Sequence, residues 1–241
     1  MKQQFELYTQ ADRDVWRTLF ERQIVNLQGK ACQEYLTALD DMRDVLHPNN
    51  IARFSEIDEW FTGSTGWRME CVPGLIPVDE FFQLLAQKRF CSSTWLRSME
   101  QLDYLEEPDM FHDVFGHIPL LSNPVFSDFA NEFGKLGLTV INDEEKLKML
   151  QRLYWFTIEF GLIRQNGIKL YGAGIASSFG EANSSLSDHN IKLDFDLEKV
   201  IHEEFRTDVV QTKYFVINSF EELFESIVQL SQKWKSYAMA K

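Results

Sequence analysis

The 241-residue sequence predicts a mainly α-helical domain of the α+β class with short minor strands. Apolar residues recur at helical spacing along most of the chain. Only two runs, Ile168–Tyr171 and Tyr214–Ile217, have the composition of short strands. No Pro-, Gly- or Ser-rich stretch is long enough to separate two domains, so we expect residues 1–241 to form a single one.

Helix-start and helix-stop residues divide the N-terminal part of the chain. Thr9 begins a capping-box pattern for the first helix, and Gly29 interrupts it before a second apolar stretch over residues 32–42. Ser55 is placed to cap a third helix. Pro77 follows a loop that contains Pro and Gly, and it is placed to open a fourth helix.

The middle of the chain places two histidines around a predicted helix end. Pro108 is suited to the first position of a helix running to Phe115, and Gly116 to its left-handed C-terminal position. On an uninterrupted α-helix, side chains five residues apart point about 140° away from each other. We therefore expect the helix to stop at Gly116, so that His117 turns back toward His112.

The C-terminal half continues with further helices. Pro124 begins one, Asn142 precedes an acidic start to the next, and Ser219 is placed to cap the last. From Leu147 through Leu162 the sequence is apolar on nearly every side, which predicts a central, buried helix. Glu159 lies inside this helix.

Charge and cysteine content bear on the partners and the location. Lys and Arg number 24 against 37 Asp and Glu, and a net charge of -13 repels phosphate backbones and anionic membranes. We expect no nucleic-acid or membrane partner. The N-terminal residues lack an apolar signal segment, which predicts a cytoplasmic protein. The three cysteines have no CxxC spacing, so we expect buried thiols rather than disulfides or a zinc site: Cys32, Cys71 and Cys91.

His112, His117 and Glu159 supply two imidazoles and one carboxylate. This donor set on one face of a metal leaves positions free for dioxygen, water or substrate, as in non-heme Fe(II) oxygenases. A carboxylate inside an apolar helix is costly unless it is paired, protonated or bound to a metal. An iron enzyme is the leading hypothesis.

Three alternatives remain open at this point. In the first, Glu159 forms an ion pair with Arg152 or Arg164, and the protein is a helical binding module without enzyme activity. In the second, the same three donors bind zinc in a hydrolase, although no HExxH motif is present. In the third, the Gly-rich segment 172–178 is a phosphate-binding loop, although it lacks the GxxxxGK[ST] pattern.

Three motifs carry a resemblance to a known family. Asp103–Leu120 closely resembles the iron-ligand segment of the pterin-dependent aromatic amino acid hydroxylases, and is most similar to the bacterial phenylalanine 4-hydroxylases. Tyr154–Leu162 and Tyr171–Glu181 resemble two further segments of that family, in the same order and at nearly the same spacing. A fainter similarity extends from about Tyr8 to Ile217.

This resemblance implies a single, helix-dominated catalytic domain of the aromatic amino acid hydroxylase type. It implies Fe(II) held by His112, His117 and Glu159. Tetrahydrobiopterin or a related reduced pterin is expected to rest on the loop formed by Gly74, Leu75 and Ile76. Its ring is expected to stack on Phe81 and to lie near Asp113.

For the substrate, the resemblance implies an amino acid whose carboxylate pairs with Arg97, with help from Ser177. The aromatic ring is expected among Pro108, Phe111, Trp155 and Gly174. The implied reaction is ring hydroxylation with dioxygen, of L-phenylalanine to L-tyrosine; tryptophan hydroxylation is the alternative within the family.

The chain departs from the family pattern at single positions. Leu105 stands where animal members carry Thr, and Cys91 replaces a pterin-side His; these departures bear on the affinity for substrate and pterin rather than on the type of reaction. Thr207 falls where tyrosine hydroxylases carry Asp, which weakens a tyrosine specificity. We expect a protein without the regulatory module and the long C-terminal tetramerisation helix of animal members, and therefore a monomer without allosteric activation by substrate.

Overall fold

Helices dominate the computed structural model, which describes residues 1–103, 105 and 107–239, with side chains described through residue 235. This confirms the predicted mainly α-helical, α+β class. The α-helices are α1 (Gln10–Leu27), α2 (Gln33–Asp41), α3 (Phe54–Thr62), α4 (Val78–Ala86), α5 (Pro124–Thr139), α6 (Glu144–Tyr154), α7 (Ala173–Ser177), α8 (Phe179–Ser184), α9 (Leu197–Val200) and α10 (Phe220–Met239).

Two small sheets accompany the helices. Strands β1 (Arg68–Cys71) and β2 (Arg89–Ser92) pair in parallel. The second sheet has the order β4-β3-β6-β5, in which β3 is antiparallel to β4 and parallel to β6. Its strands are β3 (Leu162–Arg164), β4 (Ile168–Leu170), β5 (Ile191–Asp194) and β6 (Lys213–Ile217). In the described part of the chain, no helix combines the length and apolar character needed to cross a membrane.

Several predicted helix boundaries are confirmed. The Thr9 hydroxyl accepts a hydrogen bond from the Asp12 N–H at 3.2 Å, and the Asp12 carboxylate accepts one from the Thr9 N–H at 2.7 Å. Gly29 adopts a φ of 74° just after α1, a conformation that costs glycine little. Pro124 is the first residue of α5, whose preceding Asn123 caps it. Local cap chemistry was therefore sufficient to predict these starts.

Other predicted starts are displaced by a residue. Ser55 does not cap α3, because the helix begins before it and Arg53 holds the cap position. Pro77 is the cap residue of α4 rather than its first helical residue. Asp143 caps α6 in place of Asn142, because its carboxylate accepts the N–H three residues on at 3.1 Å.

The prediction for Pro108 and Gly116 is wrong. The helix begins after Pro108, at Met110, and the backbone from His112 to His117 forms a π-helix instead of ending. Gly116 is not among the glycines with positive φ. Its lack of a side chain serves packing instead, since a Cβ at this position would lie 2.8 Å from the backbone oxygen of Ala173.

The predicted buried helix over 147–162 is also partly wrong. The α-helical part ends at Tyr154, a π-helical turn covers Trp155–Glu159, and Leu162 already belongs to β3. In α6 the buried residues are Leu150 and Leu153, because its charged side chains face solvent. Burial deepens only in the π-helical turn that carries Glu159.

Strands β1, β2, β3 and β5 were not predicted. Each has three or four residues, too few for an alternating pattern to stand out. Their partners are also distant: Met69 pairs with Phe90, and Leu162 with Val216. The predicted strands correspond to β4 and β6. Cys32 and Cys71 are buried as expected, whereas Cys91 on β2 is only half-buried.

Close packing of α5 on α4 supplies a stability test. A Cβ at Gly134 would lie 2.5 Å from the backbone nitrogen of Ala86, which cannot move without shifting α4. We expect Gly134→Ala to lower the free energy of unfolding by about 1–3 kcal/mol, measured by urea denaturation. Gly180→Ala is the matched control, because no atom lies within 4 Å of its Cβ position. Equal unfolding midpoints for the two variants would contradict this packing.

Candidate active site

The three predicted metal ligands converge. The two Nε2 atoms of His112 and His117 are 3.2 Å apart. Glu159 brings Oε1 to 3.2 Å from the His117 Nε2 and Oε2 to 3.7 Å from the His112 Nε2. Two donors each about 2.1 Å from one metal and at right angles are separated by roughly 3 Å. The residues therefore fit a single metal ion.

Backbone geometry brings the two histidines together. In a π-helix the hydrogen bonds run from residue i to i+5, so residues five apart lie about one turn above each other. His112 and His117 begin and end such a segment, and their ring centroids are 4.9 Å apart. Convergence thus follows from a widened helix rather than from the predicted break at Gly116.

The protonation states suit a divalent cation. Burial lowers the pKa of His112 to about 4, so this imidazole is neutral near pH 7. Burial alone would raise the pKa of Glu159, but His117 and His112 outweigh it and hold the pKa at about 2. An ionised carboxylate beside imidazole nitrogens is the donor set of an open iron site.

The ion-pair alternative for Glu159 is wrong. Arg152 donates to Glu204 and, at 3.3 Å, to the backbone oxygen of Ile201. Arg164 pairs with Asp194 at 2.5 Å. Both predicted partners are therefore engaged elsewhere, and the charge of Glu159 is directed toward the two imidazoles.

Ser177 determines which nitrogen of His112 is free. The Ser177 hydroxyl donates to the backbone oxygen of Ala173 at 2.8 Å. Its oxygen therefore accepts the proton of His112 Nδ1, at 2.9 Å. A proton on Nδ1 leaves the lone pair on Nε2, which points toward the other donors. The predicted substrate residue Ser177 thus contacts a metal ligand directly.

A buried ion pair adjoins the same histidine. Arg97 donates to Asp109 from Nε at 2.9 Å and from Nη2 at 2.8 Å, and both side chains are buried. Burial raises the pKa of Asp109, but Arg97 outweighs this and the pKa is lowered. Asp109 also accepts the backbone N–H of His112 at 3.0 Å. Arg97 is thereby linked to the metal ligands through one carboxylate.

A cavity of about 450 Å³ opens on the three ligands. All five predicted pterin residues line it, as do two of the predicted substrate residues, Pro108 and Trp155. The predicted pterin residues at this wall are Gly74, Leu75, Ile76, Phe81 and Asp113. Asp113 accepts the backbone N–H of Ser93 at 3.1 Å, and burial raises its pKa to about 7.

The other predicted substrate residues lie outside the cavity wall. Phe111 is fully buried and stacks on Phe115 with a centroid distance of 4.8 Å, because the helix turns it toward the core. A Cβ at Gly174 would lie 3.1 Å from Oε2 of Glu159, so this residue borders the ligand rather than the open space. Ser177 contacts His112 directly, and Arg97 is linked to His112 through Asp109.

The sequence interpretation missed several wall residues. Phe90 on β2 lies against the His117 ring, with centroids 4.7 Å apart. Tyr154, Phe133 and Phe205 add further aromatic surface. Because β2 was not predicted, nothing in the pattern placed Phe90 near a histidine. Thr207 and Cys91, two of the departures from the family pattern, also line the cavity.

Two imidazoles and one carboxylate that line an aromatic-walled cavity are the donor set of a mononuclear non-heme iron oxygenase. Residues 4–239 match the biopterin-dependent aromatic amino acid hydroxylase family, and the chain belongs to that family.

Curated relatives and solved structures agree with this assignment. The phenylalanine-4-hydroxylase of Ralstonia nicotianae is 44% identical over 94% of this chain and 72% of its own. That of Caulobacter vibrioides is 45% identical over 92% and 76%. A structure of Chromobacterium violaceum phenylalanine hydroxylase with iron (III) and oxidised cofactor 7,8-dihydrobiopterin has a TM-score of 0.91, at 42% identity over 99% of this chain and 86% of that one.

Replacement of Glu159 tests the metal centre. We expect Glu159→Gln to weaken Fe(II) binding by more than about a hundredfold, because a direct ligand matters more than an outer partner, whose loss costs about 10–100-fold. Metal content after dialysis measures the effect. Glu204→Gln removes an exposed carboxylate paired with Arg152 and should retain iron. Full iron occupancy in Glu159→Gln would rule out this ligand set.

Replacement of Ser177 tests the tautomer argument. Without the acceptor for Nδ1–H, His112 loses its fixed orientation, so we expect Ser177→Ala to weaken Fe(II) binding by about 10–100-fold. Ser178→Ala is the control: it removes only the cap of α8, where Oγ accepts the Glu181 N–H at 3.3 Å. Unchanged iron affinity in Ser177→Ala would show that the hydroxyl does not orient the ligand.

Proposed function

We propose that this chain is an iron- and tetrahydrobiopterin-dependent monooxygenase that hydroxylates L-phenylalanine to L-tyrosine. One observation carries the proposal: His112, His117 and Glu159 converge at a cavity that is also lined by all five residues expected to contact the pterin. The relatives named phenylalanine-4-hydroxylase support the substrate.

His112, His117 and Glu159 would hold Fe(II) where they converge at the cavity. Fe(II) and the reduced pterin, when bound, supply the activation of dioxygen. Phe81 offers an aromatic face to the pterin ring, and residues 74–76 offer backbone. Trp155, Phe90 and the other aromatic residues of the wall exclude water from the space between iron, pterin and substrate.

The wall is suited to an uncharged ring. Thr207 places a neutral side chain where tyrosine hydroxylases carry Asp. Burial raises the pKa of Cys91 to about 12, so its thiol is uncharged as well. Pro108 and Trp155 offer apolar faces. These four wall residues therefore present no charge to bound ligands.

Arg97 is proposed to bind the substrate carboxylate. Asp109 holds the Nε and Nη2 edge, so the guanidinium is fixed, and Nη1 donates to the Leu102 backbone oxygen at 3.3 Å. A carboxylate group that binds Nη1 gains a charge-assisted hydrogen bond. Ser177 donates its only hydroxyl proton to the Ala173 carbonyl, so its proposed assistance is indirect, through the position of His112.

Turnover tests the proposal. The purified chain is loaded with Fe(II) and supplied with air, tetrahydrobiopterin and L-phenylalanine; tyrosine formation coupled to oxygen consumption is the expected result. A zinc hydrolase would consume no dioxygen. Faster hydroxylation of L-tryptophan would assign the alternative substrate, and absence of any hydroxylated amino acid despite bound iron would reject the proposal.

The carboxylate role of Arg97 is tested by Arg97→Lys. Lysine lacks the planar fork, so it cannot hold Asp109 with two hydrogen bonds and also reach the substrate. We expect the KM for phenylalanine to rise about tenfold or more, as for the loss of one charge-assisted hydrogen bond. Arg164→Lys, at an exposed pair with Asp194, is the control. An unchanged KM would restrict Arg97 to supporting Asp109.

The proposal also includes a single catalytic domain, a monomer and a cytoplasmic location. The free cysteines are compatible with a reducing compartment. Light scattering on the purified chain measures the oligomeric state, and a stable dimer or tetramer would contradict the monomer.

A further inference from the structure

Trp155 forms part of the cavity wall and is held by aromatic neighbours on two sides. Its ring stacks on Phe205 at a centroid distance of 4.6 Å and 18° between planes. Phe160 lies 4.6 Å away at 34°. Stacking fixes the distance between planes, but it leaves the ring able to slide within its own plane. A directional contact, such as a hydrogen bond, is needed to fix the position of the ring within its plane.

Gln211 makes this directional contact. Its Oε1 accepts the indole N–H of Trp155 at 3.2 Å. Its Nε2 donates to the backbone oxygens of Arg206 at 2.7 Å and Val209 at 2.8 Å. The buried amide therefore uses its oxygen once and both of its N–H groups. The reversed amide would place an oxygen against two carbonyls, so only one orientation is favourable.

The backbone of Gln211 is anchored as firmly as its side chain. Its N–H donates to Oε1 of Glu181 at 3.1 Å, and its carbonyl oxygen accepts the Tyr214 hydroxyl at 2.8 Å. Tyr214 begins the buried part of β6, and Glu181 belongs to α8. Gln211 is thus fixed to two elements of regular structure behind the cavity.

The same amide also shapes the loop beside the tryptophan. The two carbonyls that it holds bracket residues 207 and 208. Phe205 and Thr207 of this loop line the cavity together with Trp155. One side chain therefore links the indole to the loop that contributes Phe205 and Thr207 to the same cavity.

From these contacts we propose that Gln211 is a positioning residue that sets the ring selectivity of the enzyme. This inference rests on the proposed function and concerns how the same site distinguishes amino acids. By fixing the in-plane position of the Trp155 indole and the loop at 205–209, Gln211 limits the width of the slot. A slot of fixed width accepts the single ring of phenylalanine and discriminates against the larger indole of tryptophan.

Two variants separate hydrogen bonding from volume. Gln211→Ala removes the side chain, and Gln211→Met keeps its approximate volume but removes all three hydrogen bonds. For both we expect the KM for phenylalanine to rise about tenfold. The ratio of kcat/KM for phenylalanine over tryptophan should fall by about tenfold, whereas the KM for tetrahydrobiopterin and the iron content should stay unchanged. Gln165→Ala truncates an amide that binds Glu34 on the far hairpin, and it is the matched control.

A second measurement does not depend on turnover. The indole N–H groups of the six tryptophans give separate resonances, and Trp155→Phe identifies the one from Trp155. Its exchange with solvent should accelerate in both Gln211 variants and stay slow in Gln165→Ala. Calorimetry on anaerobic Fe(II)-loaded protein should show a smaller difference in Kd between phenylalanine and tryptophan in the Gln211 variants.

The outcomes distinguish the two proposals. A wild-type chain that hydroxylates no amino acid rejects the proposed function. A wild-type chain that hydroxylates phenylalanine, with ring preference unchanged in both Gln211 variants, overturns the role of Gln211 alone. Slow exchange of the Trp155 indole N–H in both variants would overturn this role as well, because Gln211 would then not hold the indole. An equal rise in the KM for phenylalanine and for pterin would also overturn it, because the substitution would then disturb the whole site.

Discussion

Two histidines five residues apart on one continuous helix reach one metal ion only where that helix is wound more widely than an α-helix. The π-helical segment His112–His117 meets this constraint, and much of the site depends on it. It turns Phe111 into the core, where it stacks on Phe115, and it seats Gly116 against Ala173. A second π-helical turn delivers Glu159 from the opposite side. Local departures from α-helical geometry therefore assemble the donors, while the regular helices serve as scaffold.

Hydrogen bonds with a defined donor and acceptor order the groups around the ligands. The Ser177 hydroxyl donates to the Ala173 carbonyl oxygen, so its own oxygen accepts the Nδ1–H of His112. Asp109 receives two bonds from Arg97 and one from the His112 backbone. Of the residues expected to touch the substrate, Ser177 thus contacts a predicted metal ligand directly, and Arg97 is linked to one through Asp109. In the proposed complex, the substrate carboxylate and the iron would therefore share a set of supporting residues.

The chemistry of His112, His117 and Glu159 made these donors predictable from the sequence, but the backbone geometry that brings them together was not predictable. Cap residues such as Thr9 and Asn123 act locally, so the starts of α1 and α5 could be predicted from neighbours in sequence. A π-helical turn has the same composition as an α-helical one, so His117 was expected to need a break at Gly116. The role of Gln211 could not be predicted from the sequence, because its three side-chain partners belong to a loop and to a distant helix.

The contacts between α7 and the ligand-bearing segments leave space for backbone alone. Gly116 lies against Ala173, and a Cβ at Gly172 would fall 2.3 Å from the Glu159 carbonyl oxygen. Larger side chains at these two glycines would force apart the backbone of the segments that carry the ligands. Laboratory evolution toward new oxidations should accordingly collect its changes on the 205–209 loop, whose contacts described above are with Trp155 and Gln211 rather than with the three ligands.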